Sequence, residues 1–244
     1  MNIIKNEIAY LVSSCDKYQD LWDLHFEALS LHCKFEHIDK YLLSNYKVYN
    51  SNDIKTLAVG EDLSWSHMLI QALSLIDYDY ILLTLDDFIL RRNTDCNKLN
   101  NSLCILKQNH DIGAIRLLPR PNSCIKSEYK GYNLVDPAKP YALSLQASLW
   151  RKSFLQSLLV PGESPWEFEL NDKRQKINKK IITSNTDILG YNHHCVERGY
   201  FFPWDKFIFS KKYDSQMSRD TLSLRLVAIW FIKKIIQQIR NYKN

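Results

Sequence analysis

Tyr80-Ile81-Leu82-Leu83-Thr84-Leu85-Asp86-Asp87-Phe88 is the stretch on which the reading of the fold turns. Its first six residues are mostly apolar and do not alternate with polar ones, which predicts a strand buried on both faces, as in a parallel sheet. Two adjacent carboxylates follow at the carboxyl end of that strand. In open α/β sheets this is where ligands bind, in the crevice beyond the strand ends. Two acids so placed repel each other and lose hydration unless a cation offsets them. An oxygen-only pair suits a divalent cation such as Mg²⁺ or Mn²⁺, ions that bridge diphosphates. The plain alternative is a strand that ends in a solvated turn, where Asp is common.

Upstream, Ile8-Ala9-Tyr10-Leu11-Val12 reads as a first buried strand and runs into Ser13-Ser14-Cys15-Asp16-Lys17-Tyr18. Leu21, Leu24, Ala28, Leu29 and Leu31 then recur at helical spacing. Thr56–Val59 is a short strand ending in Gly60-Glu61-Asp62. A helix carrying Trp65, Met68, Leu69, Ala72, Leu73 and Ile76 follows, with Asp62 as its expected N-cap. Downstream, Leu99–Leu106 reads as a helix and Ile112–Leu118 as a strand stopped by Pro119 and Pro121. The segment 122–140 reads as loop or short hairpin. Ala142–Leu149 alternates small and apolar residues, and a helix is expected to begin near Trp150. Strands alternating with helices predict an α/β fold: a Rossmann-like, mostly parallel central sheet flanked by helices in a single domain. The expected organisation is one domain over residues 1–217 and a C-terminal helix over 218–244.

At 244 residues the chain is long enough to bury a substantial core, and 45% hydrophobic with 24% charged residues describes a folded protein. Only 6 residues are Gly, which argues against a P-loop or a dinucleotide-binding fingerprint. The six cysteines form no CxxC pair or zinc-like spacing, so reduced, mostly buried thiols are expected. No export signal is read at the N-terminus, and no apolar run reaches the ~20 residues that a transmembrane helix needs. The expected location is cytoplasmic.

A second cluster is Glu163-Ser164-Pro165-Trp166-Glu167-Phe168-Glu169. Ser164 at the N-cap, Pro165 at N1 and Glu167 at N3 make a capping box, which gives Glu167 a structural task. Glu169 lies about 200° around the helix from Glu167 and is not needed for the cap. Glu163 precedes the helix and is placed to face a cleft. A carboxylate at a helix start stays ionised and suits a general base, although three solvated acids would give the same pattern. A third cluster is His193-His194. Adjacent residues at a strand end point in opposite directions, so one of the pair can reach a metal while the other packs or faces water; the plain alternative is a structural histidine.

The last stretch, Thr221 to Asn244, reads as a helix with Leu222, Leu226, Ile229, Ile232, Ile236 and Ile239 on one stripe. Arg219, Arg225, Lys233, Lys234, Arg240 and Lys243 surround it, and Asp220 is the only acid from Arg219 onward. A basic amphipathic helix with Trp230 and Phe231 fits an anionic membrane surface, and equally fits packing on the domain. The chain carries no recognised nucleic-acid module, so nucleic acid is not expected as a partner.

The order of these pieces resembles the GT-A type nucleotide-sugar glycosyltransferases of bacterial polysaccharide and lipopolysaccharide assembly, over residues 8–206. The resemblance implies donor contacts from Ser13, Ser14 and Asp16 after the first strand, and from Asp62, Trp65, Asp86 and Asp87. It implies metal ligation by Asp86 and Asp87 with His193 or His194, acceptor contacts from Gln146, Trp150 and Trp166, and a base among Glu169, Glu167 and Glu163, with Glu169 first. Phe88 follows the acid pair, so a strict Asp-X-Asp is absent. The implied activity is sugar transfer, metal-dependent and inverting, from a nucleotide-sugar donor to a saccharide or lipid-linked acceptor. Two alternatives stay open: a nucleotidyltransferase on a similar sheet, and a non-catalytic module at a membrane surface.

Overall fold

The computed structural model describes residues 7–33, 38–61, 63–170 and 177–232. Strands β1 (Ile8–Ser13), β2 (Asp39–Ser44), β3 (Ile54–Ala58) and β4 (Tyr80–Leu85) run parallel. Next come β5 (Ile112–Arg116), the short β6 (Ile125–Lys126) and β7 (Tyr132–Leu134), β8 (Ser148–Arg151) and β9 (Lys180–Ser184). The nine form one sheet in the order β3-β2-β1-β4-β8-β5-β9-β7-β6. Strand β8 is antiparallel to both β4 and β5, and β5 runs parallel to β9. The sheet is therefore mixed but mostly parallel, and the carboxyl ends of β1, β4, β5 and β9 share one edge with the start of β8.

The helices are α1 (Trp22–His32), α2 (Trp65–Leu75), α3 (Cys96–Gln108), α4 (Lys152–Leu158), α5 (Pro165–Leu170) and α6 (Pro203–Lys212). A 3₁₀ turn over Asp16–Leu21 leads into α1. Strand β1 is buried along its whole length because its side chains alternate between two cores. Ile8, Tyr10 and Val12 join Trp22, Leu24, Leu99 and Leu103 on one face. Ala9 and Leu11 join Met68, Leu69, Phe154, Leu155 and Phe168 on the other. Gly113 in β5 is required by this second layer, since a Cβ there would stand 2.2 Å from the Phe154 ring.

Several expectations need correction. The N-cap of α2 is Ser64, whose hydroxyl accepts from the His67 N–H, and Asp62 lies outside the described residues. Strand β2 is absent from the sequence reading, because only Tyr41-Leu42-Leu43 is apolar in a polar neighbourhood. Trp150 belongs to β8, and α4 begins at Lys152. Segment 122–140 does contain a hairpin, β6–β7. All six cysteines are free, with Cys33 and Cys195 buried and Cys124 exposed.

A two-stranded hairpin, β10 (Val196–Glu197) with β11 (Tyr200–Phe201), precedes α6. The chain then returns: Phe201 N–H donates to Asp220 O, Leu222 N–H donates to Phe201 O, and Leu222 is buried. Residues 224–232 are helical, and Trp230 sets its ring 4.8 Å from Phe202. Of the six basic residues assigned to this helix, Lys233, Lys234, Arg240 and Lys243 lie outside the described residues. Among the described residues no helix is long and apolar enough to cross a membrane.

Candidate active site

Leu85-Asp86-Asp87-Phe88 closes a tight turn at the end of β4, with Phe88 N–H donating to Leu85 O at 3.1 Å. The turn thrusts both carboxylates into the crevice beside the end of β1. Ser14 donates its hydroxyl to Asp86 Oδ2 at 2.5 Å, and Trp22 Nε1 donates to the same hydroxyl at 2.8 Å. Burial, and then the charge of Asp87, push the Asp86 carboxyl well above the usual range. Asp87 is raised to about 6, chiefly by burial, while the neighbouring His194 acts in the opposite direction. Its Oδ1 is buried with no hydrogen-bond partner among the described residues.

Ser13 and Trp65 form the wall on the β1 side, with Trp65 Nε1 donating to Ser13 Oγ at 3.0 Å and its ring 5.3 Å from Phe168. Asp16 is tied down: its carboxylate accepts from the backbone N–H groups of Asn45, Tyr46 and Lys47 and so fixes the turn after β2. Asp16 also borders a polar cleft of about 380 Å³ with Lys17, Gln19, Asp20, Lys47, Ser218 and Arg219.

Glu169 lies on the side of β8, and the charge of His194 acts on both it and Asp87. Its Oε1 accepts from Leu145 N–H at 2.6 Å and from Ser144 Oγ at 3.2 Å. Burial raises its pKa, against the pull of those bonds and of the charges on Arg116 and His194. Glu167 does close the capping box, accepting from Ser164 N–H at 2.7 Å while Ser164 Oγ accepts from Glu167 N–H. Glu163 is buried, and its backbone is held to Ser66 on α2. Gln146 Oε1 accepts from the Tyr191 hydroxyl at 2.7 Å, and the Tyr191 ring stacks on Phe88.

Two further placements differ from expectation. Trp150 is a core residue, 2% exposed and stacked near Phe154, because its face of the sheet is covered by the layer that includes α4; it is not open to an acceptor. Trp166, by contrast, is 70% exposed. His193 and His194 do not diverge as residues of a strand would. They precede β10, after Asn192 with a positive φ of 71°, and both rings lie 5.8 Å from Phe202. His193 Nε2 lies 3.1 Å from the buried Asp205, which also holds Arg91, so it braces the loop. His194 pairs with Glu197 and is the histidine whose charge reaches Asp87.

Sequence reasoning misses Arg219, Arg116, Tyr18 and Tyr191. It counts Arg219 with the basic helix. In the structure Arg219 forms a bidentate pair with Asp20 at 2.6 and 2.8 Å and lies 4.1 Å over the Tyr18 ring. Its charge reaches both Asp86 and Asp87. No local pattern announces such a long-range pair. Arg116 carries a signal, a charge within the apolar run Ile115–Leu118. It is buried and donates to the carbonyls of Pro121, Tyr141 and Ala142, close enough to Glu169 to act on its pKa.

Among the described residues no group of three or more His, Cys, Asp or Glu side chains converges as a metal cage. The chemistry of the acid pair nevertheless fits a divalent cation shared with a ligand. The orphaned Asp87 Oδ1 is a hard oxygen acceptor, the donor type such an ion takes.

No family model matches the sequence. No curated protein matches it either. Solved structures do share the fold. The 2-C-methyl-D-erythritol 4-phosphate cytidylyltransferase from Thermus thermophilus superposes with a TM-score of 0.52 at 11% identity, covering 84% of this chain and 98% of that one. S. aureus TarS 1-349, a glycosyltransferase, gives 0.50 at 13% identity over 74% of this chain and 58% of TarS 1-349. The same protein in complex with UDP-GlcNAc gives 0.50 at 10% identity over 87% and 68%. The chain therefore has the fold shared by GT-A-like glycosyltransferases and nucleotidyltransferases.

Proposed function

We propose that this chain is a GT-A type glycosyltransferase moving a sugar from a nucleotide-sugar donor to a hydroxyl of a saccharide or lipid-linked acceptor in cell-surface glycan assembly. The observation that carries the reading is the acid pair on the β4 turn, with a buried oxygen unpartnered among the described residues, together with a buried, backbone-held glutamate under the influence of the same His194. TarS, which shares the fold, has been solved with UDP-GlcNAc, and this supports a nucleotide-sugar donor.

Asp87, with Asp86 beside it, would hold a divalent cation, Mg²⁺ or Mn²⁺. Such an ion, when bound, offsets the negative charge of a diphosphate leaving group. The chain's own residues do the rest. Ser14 and Trp22 fix the Asp86 carboxylate so that the pair presents one geometry. Glu169 is held by one oxygen, which aims the other at an acceptor hydroxyl; it removes that proton as the hydroxyl attacks the anomeric carbon. A base on the face opposite the leaving group gives inversion in a single displacement. Burial raises the proton affinity of Glu169 and makes it a stronger base.

The fold likeness to a cytidylyltransferase, over 84% of this chain and 98% of that one, favours a second reading, nucleotidyl transfer. Against it, the loop Ser13-Ser14-Cys15-Asp16 lacks the glycines of a phosphate loop, and Asp16 is committed to the turn after β2. Release of nucleoside diphosphate from a panel of UDP-, GDP- and CDP-sugars with Mn²⁺ supports the first reading. Release of pyrophosphate from nucleoside triphosphates and sugar phosphates would replace it with the second. We also place the protein at the inner face of the cytoplasmic membrane, since a lipid-linked acceptor resides there. Phe231 and Ile232 remain exposed beside Trp230, and cosedimentation with anionic liposomes tests the attachment.

A further inference from the structure

We infer that His25 is a positioning residue for the acid pair: its Nδ1–H holds the carbonyl of Asp86 and thereby locks the central peptide of the Leu85–Phe88 turn. The inference rests on the donor-site reading for its functional meaning, but not for its geometry. His25 Nδ1 lies 3.0 Å from Asp86 O, and its Nε2 lies 2.9 Å from the Tyr10 hydroxyl. Thr84 Oγ1 donates to that hydroxyl at 3.1 Å.

The carbonyl decides every proton in this chain. A carbonyl only accepts, so His25 must carry its proton on Nδ1. Thr84 donates to the Tyr10 oxygen, so the Tyr10 proton is free to go to His25 Nε2, which accepts it. All three side chains are buried, so water does not substitute for any of these bonds. The path runs from β4 through β1 to α1 and back to the turn at the end of β4, closing a loop around the base of the site.

Why this matters follows from turn geometry. Asp86 and Asp87 are the two central residues of the turn, and the peptide between them is the one that rotates between type I and type II forms. A rotation would swing Asp86 O away from His25 and force Asp87 to a positive φ, which a residue with a Cβ resists. The carbonyl of Asp87 is secured separately by Cys195 N–H at 2.9 Å, so each carbonyl of the acid pair has its own donor, and His25 is the one on Asp86.

The test separates the two edges of the ring. Asn places an N–H where His has Nδ1, whereas Gln reaches the position of Nε2, and Phe offers neither. Wild type, His25→Asn, His25→Gln and His25→Phe are titrated calorimetrically with UDP, GDP and CDP in Mn²⁺, each below its own melting temperature. The expected result is affinity weakened about three- to tenfold in the Gln and Phe variants, the scale of one lost hydrogen bond, and restored in Asn. Amide exchange across residues 82–90, without nucleotide, is measured in the same four proteins and should rise in Gln and Phe but not in Asn. Unchanged exchange in Gln and Phe, or equal acceleration in all three variants, overturns the inference. The expected exchange pattern in a wild type that binds no nucleotide would leave the brace standing and remove the donor-site reading.

Discussion

Asp87 is kept in a state that suits a ligand and costs stability. Its carboxyl titrates at about 6, above the ordinary 3.8, mainly because burial disfavours the charge. Between about pH 4 and 6 the folded protein therefore binds more protons at this group than the unfolded chain. The contribution of Asp87 to stability is lost as pH rises through that window. Asp87→Asn removes the buried charge. We expect it to raise stability near pH 7 by roughly 2 kcal/mol, discounted for partial exposure, while turnover falls at least about a hundredfold. A thermal melt beside an activity assay reads both changes; wild-type turnover in the variant, or full activity in excess EDTA, would remove Asp87 from the site. For wild type, donor binding should weaken as pH falls through about 6, because a protonated Asp87 no longer offers a charge. Glu169→Gln belongs to the same scale. It keeps an acceptor for Leu145 N–H but has no proton affinity, so kcat should drop about a hundredfold or more with donor affinity little changed. Equal losses in kcat and donor binding would mean that Glu169 supports the donor site instead.

At the scale of elements, α5 shows how one short helix divides its residues between fold and surface. Ser164 and Glu167 close its first turn, Phe168 enters the core against Trp65, and Glu169 turns to the crevice. Trp166 is left with its ring in solvent. A large exposed aromatic next to the proposed base is well placed to stack on a sugar face. Trp166→Ala should leave the melting temperature within about the ±0.5 kcal/mol usual for surface changes, yet raise the KM for acceptor several-fold. A KM that stays put would assign Trp166 no part in acceptor binding.

For the whole molecule, the C-terminal segment is the main question. Arg219 pairs with Asp20 and reaches the Lys17 carbonyl, Leu222 is buried, and Trp230 covers Phe202. Ending the chain at Ser218 removes all three at once. A buried leucine and a partly buried ion pair together contribute several kcal/mol, so the melting temperature should fall by about 6–12 °C. The competing behaviour is a truncated protein that melts like the full chain but no longer sediments with anionic liposomes. That result would make the segment a membrane tether and not a part of the domain's packing.

The central sheet is legible in the sequence wherever a strand is buried on both faces. Ile8–Val12 and Tyr80–Leu85 are mostly apolar runs because each side of β1 and β4 meets a core. The acid pair stands out for the same reason, as an abrupt change from apolar to charged at a strand end. The capping box of α5 is local and therefore readable. Strand β2 is not, since its polar half leaves no period to detect. Trp150 cannot be told from a binding tryptophan until β8 is seen inserted antiparallel between β4 and β5. The partners of the site are set by tertiary structure alone. Arg219 meets Asp20 across 199 positions, and His25 meets Asp86 across 61. Such contacts leave no local trace, because a hydrogen bond needs only atoms in register in space, and the folded sheet, not the order of residues, brings them there.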